Sequence, residues 1–227
     1  INLNLDWVLM FQSHPFTLVY QDDGSVMFYC KVKKGITKKL RNSLLCQPEF
    51  TSRISVMVEG PYGGVSEMVV SSKHTDQLIL TSTGTGISGS IGHLKTAIKN
   101  RVPKISLLWI VPYWSDIEFI KSEFKFLQYS AIDNIDISLD FYVTREDILE
   151  STEKKSVYGI DCVTLHYERP NITAFFDDNL ASSPLNNCKT NVLLCTHHRL
   201  AQVVQKSVSK YKRLGHNIEL FDETQQW

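Results

Sequence analysis

The chain has 227 residues, and its 24 Lys and Arg balance its 24 Asp and Glu, so the formal net charge is zero. A balanced charge gives no chain-wide electrostatic case for nucleic acid or for an anionic membrane surface. No apolar run in the sequence reaches the ~18 residues that a membrane-spanning helix needs. The five cysteines show no C-x-x-C spacing, which favours a reducing compartment and argues against disulfides or a metal site.

The first part of the chain, residues 1–66, has the composition of β structure. Short runs of β-branched and aromatic residues at positions 16–20, 26–32 and 54–58 predict strands, and turn residues separate them. One short helix is predicted over residues 37–45, with Thr37 as its N-cap. Because three or four strands make a poor sheet alone, we expect further strands upstream of Ile1.

From residue 67 onwards the hydrophobic period alternates between strand and helix. The pattern predicts strands at residues 78–82, 105–111, 137–143, 162–167 and 192–196, and helices at residues 87–99, 116–128 and 199–214. Ser115 and Glu118 have the spacing of a capping box for the second of these helices. Repeated β-α units predict a parallel sheet with helices on both faces, which binds ligands at the carboxyl ends of its strands.

Three glycines with G-x-G-x-x-G spacing, Gly84, Gly86 and Gly89, follow the first of these strands and precede a helical pattern. In that context the glycines allow a tight turn that brings the backbone close to a pyrophosphate at a helix N-terminus. The motif therefore predicts a dinucleotide cradle, and the alternative is a plain strand-to-helix turn.

Arg145 follows the third predicted strand, where it could pair with the 2′-phosphate of NADPH. A common NAD site would instead place an acid after the second strand, and here no acid occurs before Asp116. The alternative for Arg145 is a solvated loop side chain paired with Glu146 or Asp147. Both interpretations of Arg145 remain open.

Two segments of the first part are candidate ligand contacts, each with a simpler alternative. His14, Pro15, Phe16 and Thr17 precede a strand and could contact a flat aromatic ring, or they could form a strand-edge turn with a core Phe. Two lysines and Gly35 precede Thr37, which suits an anion site at a helix N-terminus or a solvated charged turn.

Two positions near the C-terminus could take part in catalysis. Cys195 ends the last predicted strand and could act as a thiolate if its pKa were lowered, or it could be a buried cysteine. Trp227 could cover a ring as an aromatic lid, or it could belong to a mobile tail.

Taken together, the sequence resembles the cytoplasmic dehydrogenase portion of the fungal ferric reductases and their NADPH-oxidase relatives, within the ferredoxin–NADP reductase superfamily. Six short segments match that family in order, at residues 14–17, 33–40, 58–63, 84–88, 169–171 and 219–227. They extend across nearly the whole chain.

The resemblance implies an α/β fold, in which a parallel-sheet nucleotide-binding domain is preceded by part of an antiparallel FAD-binding β-barrel. Its expected bounds are residues 1–66 for the partial barrel and residues 67–227 for the NADPH-binding domain. In such proteins a hydride passes from NADPH to FAD, and single electrons then pass to haems in a membrane domain. The final acceptors are ferric or cupric ions, and the dehydrogenase portion lies at the cytoplasmic face of the membrane.

The resemblance also implies a role for each matching residue. The flavin ring would contact His14, Pro15, Phe16 and Thr17, and the FAD phosphates would contact Lys33, Gly35 and Thr37. The NADPH pyrophosphate would contact Gly84, Thr85, Gly86, Ile87 and Ser88, and the 2′-phosphate would contact Thr144, Arg145 and Arg169. Cys195 would lie beside the nicotinamide, and Trp227 near the flavin.

The chain departs from the family at Cys195-Thr196-His197, where relatives usually have Cys-Gly-Pro, and it lacks the Arg expected after the second strand. These departures leave weak NADPH binding, a changed coenzyme preference and lost activity open. The leading interpretation is an FAD- and NADPH-dependent metalloreductase module. The alternatives are a superoxide-generating NADPH oxidase and a non-catalytic regulatory domain that retains the fold.

Overall fold

The computed structural model describes residues 15–21, 23–54, 56–60, 75–129, 134–146, 160, 162–181 and 188–223. The chain forms two compact units, Ile1–Gly64 and Val65–Trp227. Each unit has its own secondary structure, and the parallel sheet belongs to the second.

In its described residues, the first unit has a short antiparallel ladder, one α-helix and a 3₁₀ turn (Pro48–Phe50). Strands β1 (Val19–Tyr20) and β2 (Val26–Met27) pair with Val19 opposite Met27, and helix α1 (Ile36–Leu45) follows. Both strands are shorter than predicted, and the described residues between positions 54 and 58 lie in no strand. Periodicity predicts which segments could form strands, whereas a ladder also requires a hydrogen-bonded neighbour.

The described residues of the second unit form a sheet of six parallel strands. They are β3 (Gln77–Thr83), β4 (Lys104–Val111), β5 (Asp136–Val143), β6 (Val163–His166), β7 (Lys189–Cys195) and β8 (Asn217–Asp222). Their order in the sheet is β6-β5-β4-β3-β7-β8. The chain builds outward from β3 to β6 and then returns to β7 on the other side of β3. The junction of β3 and β7 is therefore the topological switch point, where open α/β sheets bind ligands.

Five α-helices accompany this sheet in the described residues. They are α2 (Ile87–Lys99), α3 (Trp114–Ile120), α4 (Phe126–Tyr129), α5 (Ile172–Ala181) and α6 (His198–Arg213). Among the described residues, no helix combines the length and apolar character that crossing a bilayer requires.

The helices cover both faces of the sheet, as predicted. On one face, strands β3, β4 and β7 share a buried core with α5 and α6, which includes Ile79, Leu108, Val192, Phe176 and Val204. Side chains alternate between the faces of a strand, so the neighbour of Leu108, Trp109, points to the opposite face. There its ring lies 6.0 Å from Phe124 and 5.1 Å from Phe141. The predicted α/β class with a parallel sheet is confirmed.

The prediction of one continuous helix over residues 116–128 is wrong. That segment is divided into α3, a 3₁₀ turn (Lys121–Phe124) and α4. The N-cap of α3 is Tyr113, without a side-chain cap, so the predicted capping box at Ser115 is also wrong. The predicted inward-facing side chains of the segment, Ile117, Ile120, Phe124 and Leu127, are nevertheless buried. Hydrophobic spacing specifies which face of the segment is buried. An interrupted helix satisfies that spacing as well as a continuous helix does.

Helix α5 and strand β8 were missed by the pattern. Helix α5 places two adjacent aromatic residues, Phe175 and Phe176, in its middle, and only Phe176 is fully buried. Strand β8 extends the sheet beyond β7, with Ile218 opposite Thr190. Residues of α5 and β8 belong to the same buried cluster as residues of α6, on one face of the sheet.

Replacement of Phe176 by alanine tests the importance of the α5–α6 face. Phe176→Ala should lower the free energy of unfolding by about 3–5 kcal/mol, because it leaves a cavity at a fully buried position. Urea unfolding followed by circular dichroism measures the change. Phe119→Ala is the matched control, since Phe119 is 65% exposed. An equal effect of the two substitutions would contradict the assigned core.

Candidate functional site

The glycine turn lies at the carboxyl end of β3, at the topological switch point. Residues Gly84–Gly86 form a single 3₁₀ turn, and α2 begins at Ile87. Gly84 has a φ of 52°, a left-handed conformation that favours glycine. The Ser88 hydroxyl donates a 2.8 Å hydrogen bond to the Thr85 carbonyl, and no side chain in this described segment caps α2. The geometry is that of a turn whose helix N-terminus can accept an anion.

Two of the glycines are required by the closeness of α2 to β7. A Cβ atom on Gly86 would overlap with the carbonyl oxygen of Cys195. A Cβ atom on Gly89 would lie 2.9 Å from the Cys195 sulfur, which is closer than ordinary contact. The turn therefore packs against the backbone of β7 at Gly86, and the helix packs against the Cys195 side chain at Gly89, the third glycine, whose role in such turns is close helix–strand packing.

Trp109 holds the glycine turn through a side-chain hydrogen bond, a role that the sequence did not indicate. Its indole Nε1 donates a 2.9 Å hydrogen bond to the carbonyl oxygen of Gly84. The ring is 1% exposed and meets Phe141 edge to face, with centroids 5.1 Å apart. A tryptophan on the strand beside the glycine turn was the available signal, because a buried indole N–H needs an acceptor.

The Cys195 side chain is buried within the second unit. Its sulfur lies 3.8 Å from Glu223 Oε2 and the residue is 5% exposed. Burial, together with the nearby charge of Glu223, raises the pKa of the Cys195 thiol to about 12. The thiol is therefore protonated at neutral pH, and the geometry favours the buried cysteine over the thiolate nucleophile.

The residues after Cys195 have structural roles in this fold. Thr196 is 3% exposed, so its side chain is enclosed. His197 is the N-cap of α6, and its Nδ1 accepts a 3.3 Å hydrogen bond from the Leu200 backbone N–H. A histidine in this position starts the helix, a role that the sequence did not indicate.

The arginines predicted for the 2′-phosphate lie at the same edge of the sheet. Thr144 and Arg145 follow β5, Arg169 follows β6, and β5 and β6 are adjacent. The Thr144 hydroxyl donates to the Val111 carbonyl at 3.1 Å, which ties this loop to the end of β4. Both arginines are exposed.

The Glu146 carboxylate accepts a hydrogen bond from a residue other than Arg145. This bears on the alternative interpretation, in which Arg145 pairs with Glu146 or Asp147. The Glu146 Oε2 accepts a 3.1 Å hydrogen bond from the Trp114 backbone N–H at the start of α3. Among the described residues, Arg145 forms no ion pair. Pairing with Glu146 is therefore not observed, and Asp147 lies outside the described residues.

The candidate residues of the first unit are placed as follows. Phe16 packs against Phe28 with ring centroids 4.8 Å apart, next to Pro15 and Thr17 in the chain. The N-cap of α1 is Gly35, which has a φ of 89°, so the predicted N-cap at Thr37 is wrong.

Thr37 is instead held by the loop that precedes α1. Its Oγ1 accepts a 2.9 Å hydrogen bond from the Lys33 N–H and donates to the Lys33 carbonyl at 3.2 Å. Its hydroxyl thus fixes the Lys33–Gly35 turn and does not cap the helix. His14 and Trp227 lie outside the described residues.

The structure brings part of the predicted site together. The glycine turn and Cys195 meet at the β3–β7 junction, and Arg145 and Arg169 follow neighbouring strands at the same sheet edge. No cluster of His, Cys, Asp and Glu suited to a metal ion occurs in the described residues.

Alanine at Gly86 tests the close approach of α2 to β7. Gly86→Ala should lower the free energy of unfolding by about 1–3 kcal/mol, because the added methyl group meets backbone that cannot rotate away. Gly92→Ala is the matched control, since open space surrounds that position in the same helix. It should be neutral or stabilise by about 0.5–1 kcal/mol. Thermal and urea unfolding measure the stability of both variants. Equal stability would contradict the close packing of Gly86 against Cys195.

Phenylalanine at Trp109 tests the indole hydrogen bond. Trp109→Phe should lower the free energy of unfolding by about 1–3 kcal/mol and weaken NADPH binding, because the Gly84 carbonyl loses the indole donor and retains the Ile87 N–H. Phe141→Leu is the control, since it disturbs the same aromatic cluster and leaves the hydrogen bond intact. Fluorescence titration with NADPH measures binding. The expectation fails if both variants weaken NADPH binding equally.

Comparison with known proteins places the chain in a family. The model described as "FAD-binding domain" matches residues 1–66, and that described as "Ferric reductase NAD binding domain" matches residues 75–209. A probable ferric reductase transmembrane component of Candida albicans is 23% identical over 243 residues, covering 96% of this chain and 35% of that protein. Ferric reductase transmembrane component 6 of Saccharomyces cerevisiae is 27% identical, covering 97% of this chain and 32% of that protein.

The chain thus spans about a third of the length of these curated relatives. Among solved structures, a flavohemoglobin from Malassezia yamatoensis with bound FAD and heme matches with a TM-score of 0.55 at 10% identity. The match covers 92% of this chain and 47% of that one, and at this identity it shows the fold alone. Because the ferric reductase model matches more than half of the chain, the chain belongs to the ferric reductase NAD-binding domain family.

Proposed function

We propose that the chain is the FAD- and NADPH-binding electron-transfer portion of a ferric or cupric reductase, held at the cytoplasmic face of a membrane by a haem-containing membrane domain. One observation carries this proposal: a glycine turn packed against the backbone of Cys195 at the switch point of a parallel sheet. Such a turn leaves the N-terminus of α2 without a side-chain cap, as a pyrophosphate site requires.

The residues of the second unit fit NADPH. A side chain at Gly86 is excluded by the Cys195 carbonyl, so the backbone itself lines the turn. Arg145 and Arg169, exposed after adjacent strands, supply guanidinium groups suited to a phosphate. These arginines support NADPH over NADH as the coenzyme.

The residues of the first unit fit the phosphates of FAD. The Lys33–Gly35 turn is held by Thr37, and Gly35 has a conformation that favours glycine. Lys33 is exposed beside it. When bound, FAD would accept a hydride from NADPH and release the electrons singly to the haems.

The chain's own residues would bind and orient the two cofactors. Trp109 holds the Gly84 carbonyl and with it the backbone of the turn. Thr37 holds the Lys33 backbone on both its N–H and its carbonyl. Cys195, whose raised pKa keeps the thiol neutral, presents no thiolate. The protein therefore contributes positioning, and the redox chemistry belongs to the cofactors.

Rapid mixing of the FAD-loaded full-length protein with NADPH under anaerobic conditions tests the proposed function. The flavin absorbance should bleach, and ferric or cupric chelates should then restore it. Full FAD loading without bleaching would contradict the proposal and favour the non-catalytic domain. Superoxide production in place of metal reduction would favour the oxidase.

Alanine at Arg145 tests the choice of coenzyme. Arg145→Ala should raise the Michaelis constant for NADPH about 10–100-fold and leave that for NADH nearly unchanged, because only NADPH carries the 2′-phosphate. Arg101→Ala is the matched control, since exposed Arg101 precedes β4 at the opposite edge of the sheet. Steady-state flavin-dependent reduction with each coenzyme measures both constants. Equal losses with NADPH and NADH would assign Arg145 a structural role.

A further inference from the structure

A quarter of the chain's 24 Lys and Arg lie in one short segment of the first unit. Six basic residues occupy positions 31–41: Lys31, Lys33, Lys34, Lys38, Lys39 and Arg41. No acidic residue occurs between Asp23 and Glu49. Since the whole chain is neutral, the remainder carries a net negative formal charge. We call these six residues the basic segment.

Nothing in the described part of the chain neutralises the basic segment. All six residues are exposed. The ion pairs found among the described residues involve other side chains. The segment is therefore a concentrated patch of positive charge, although the net charge of the chain is zero.

The arrangement of charge along α1 works against the helix itself. Lys38 and Lys39 lie in its first turn, where no acidic residue is present, and its last turn has no basic residue. Cations at a helix N-terminus oppose the helix dipole. Helix stability therefore does not account for the charges, whereas an anionic partner would offset their repulsion.

Helix α1 also has two distinct faces. Ile36 is buried, and Leu40 and Leu44 on the same side are half-buried. Lys38, Arg41 and Leu45 follow at the spacing that places them together on another side. Leu45 is 49% exposed, so this outer face combines basic and apolar groups.

We propose that the basic segment without Lys33, through the outer face of α1, docks on the anionic phospholipid headgroups of the membrane. Lysine and arginine meet the headgroup phosphates, and Leu45 reaches the apolar boundary beneath them, as basic amphipathic helices do. An acidic protein surface would pair with the basic residues but would give no role to the exposed Leu45. This inference rests on the proposed function, since that function holds the chain beside a membrane.

Vesicle co-sedimentation of the 227-residue chain tests the docking surface. The chain should bind vesicles of about 30 mol % phosphatidylserine in phosphatidylcholine, and should not bind phosphatidylcholine alone. The triple variant Lys38→Ala, Lys39→Ala, Arg41→Ala should bind on the order of 100-fold more weakly, because each basic residue contributes roughly a fivefold factor. None of the three belongs to the set assigned to the cofactors.

Two matched variants separate the local patch from general charge and folding effects. Lys206→Ala, Lys212→Ala, Arg213→Ala removes the same charge from exposed positions of the second unit and should leave binding unchanged. Lys38→Arg, Lys39→Arg keeps the charge and should also retain binding. Circular dichroism confirms that each variant is folded. Leu45→Ser should weaken binding without any change of charge.

Several results would overturn the docking surface: no binding to anionic vesicles, equal binding to neutral vesicles, or equal losses in both triple variants. Release of the chain by FAD, but not by sulfate at the same ionic strength, would assign the cations to the cofactor instead and also overturn it. NADPH-dependent bleaching of the flavin needs no vesicles, so it distinguishes failure of this inference from failure of the proposed function.

Discussion

The site depends on the backbone contact between helix α2 and strand β7. At Gly86 the helix comes so close to the Cys195 carbonyl that no side chain fits between them. This contact places the start of α2 at the switch point of the sheet, where the strand order reverses. A bulkier residue would displace the start of the helix, where no side chain caps the backbone N–H groups that suit a pyrophosphate. The remaining features either support this contact or use the position that it creates.

Buried hydrogen bonds and aromatic packing around the glycine turn support this contact. The Trp109 indole reaches across from β4 to hold the Gly84 carbonyl, and Phe141 packs against the Trp109 ring. Ser82 and Ser90 share a buried 2.7 Å hydrogen bond that links the end of β3 to α2. A turn fastened by buried groups keeps its shape before any ligand arrives, which lowers the ordering cost of binding.

The sequence could predict the sheet and the turn because both leave strong local patterns. Buried parallel strands read as apolar runs, and the glycine spacing stood in a strand-to-helix context. The break in the segment of α3 and α4 left no such pattern, since its apolar spacing is the same for a straight helix. The contact of Trp109 with Gly84 joins residues that are 25 positions apart, so only the fold reveals it. The charge pattern of the basic segment is visible in the sequence, but the sequence does not show which of its residues share the outer face of α1 with Leu45. The role of Cys195 was likewise undecided by sequence, since a thiol's pKa depends on burial and on neighbours such as Glu223.

Nuclear magnetic resonance titration with NADPH tests the central claim most directly. We expect the backbone amide signals of Gly84, Gly86 and Ile87, and the indole N–H signal of Trp109, to shift together as NADPH is added. The amide signal of Gly92, in the same helix but away from the turn, should remain in place. Binding of NADPH that leaves the signals of the turn unchanged would contradict the account.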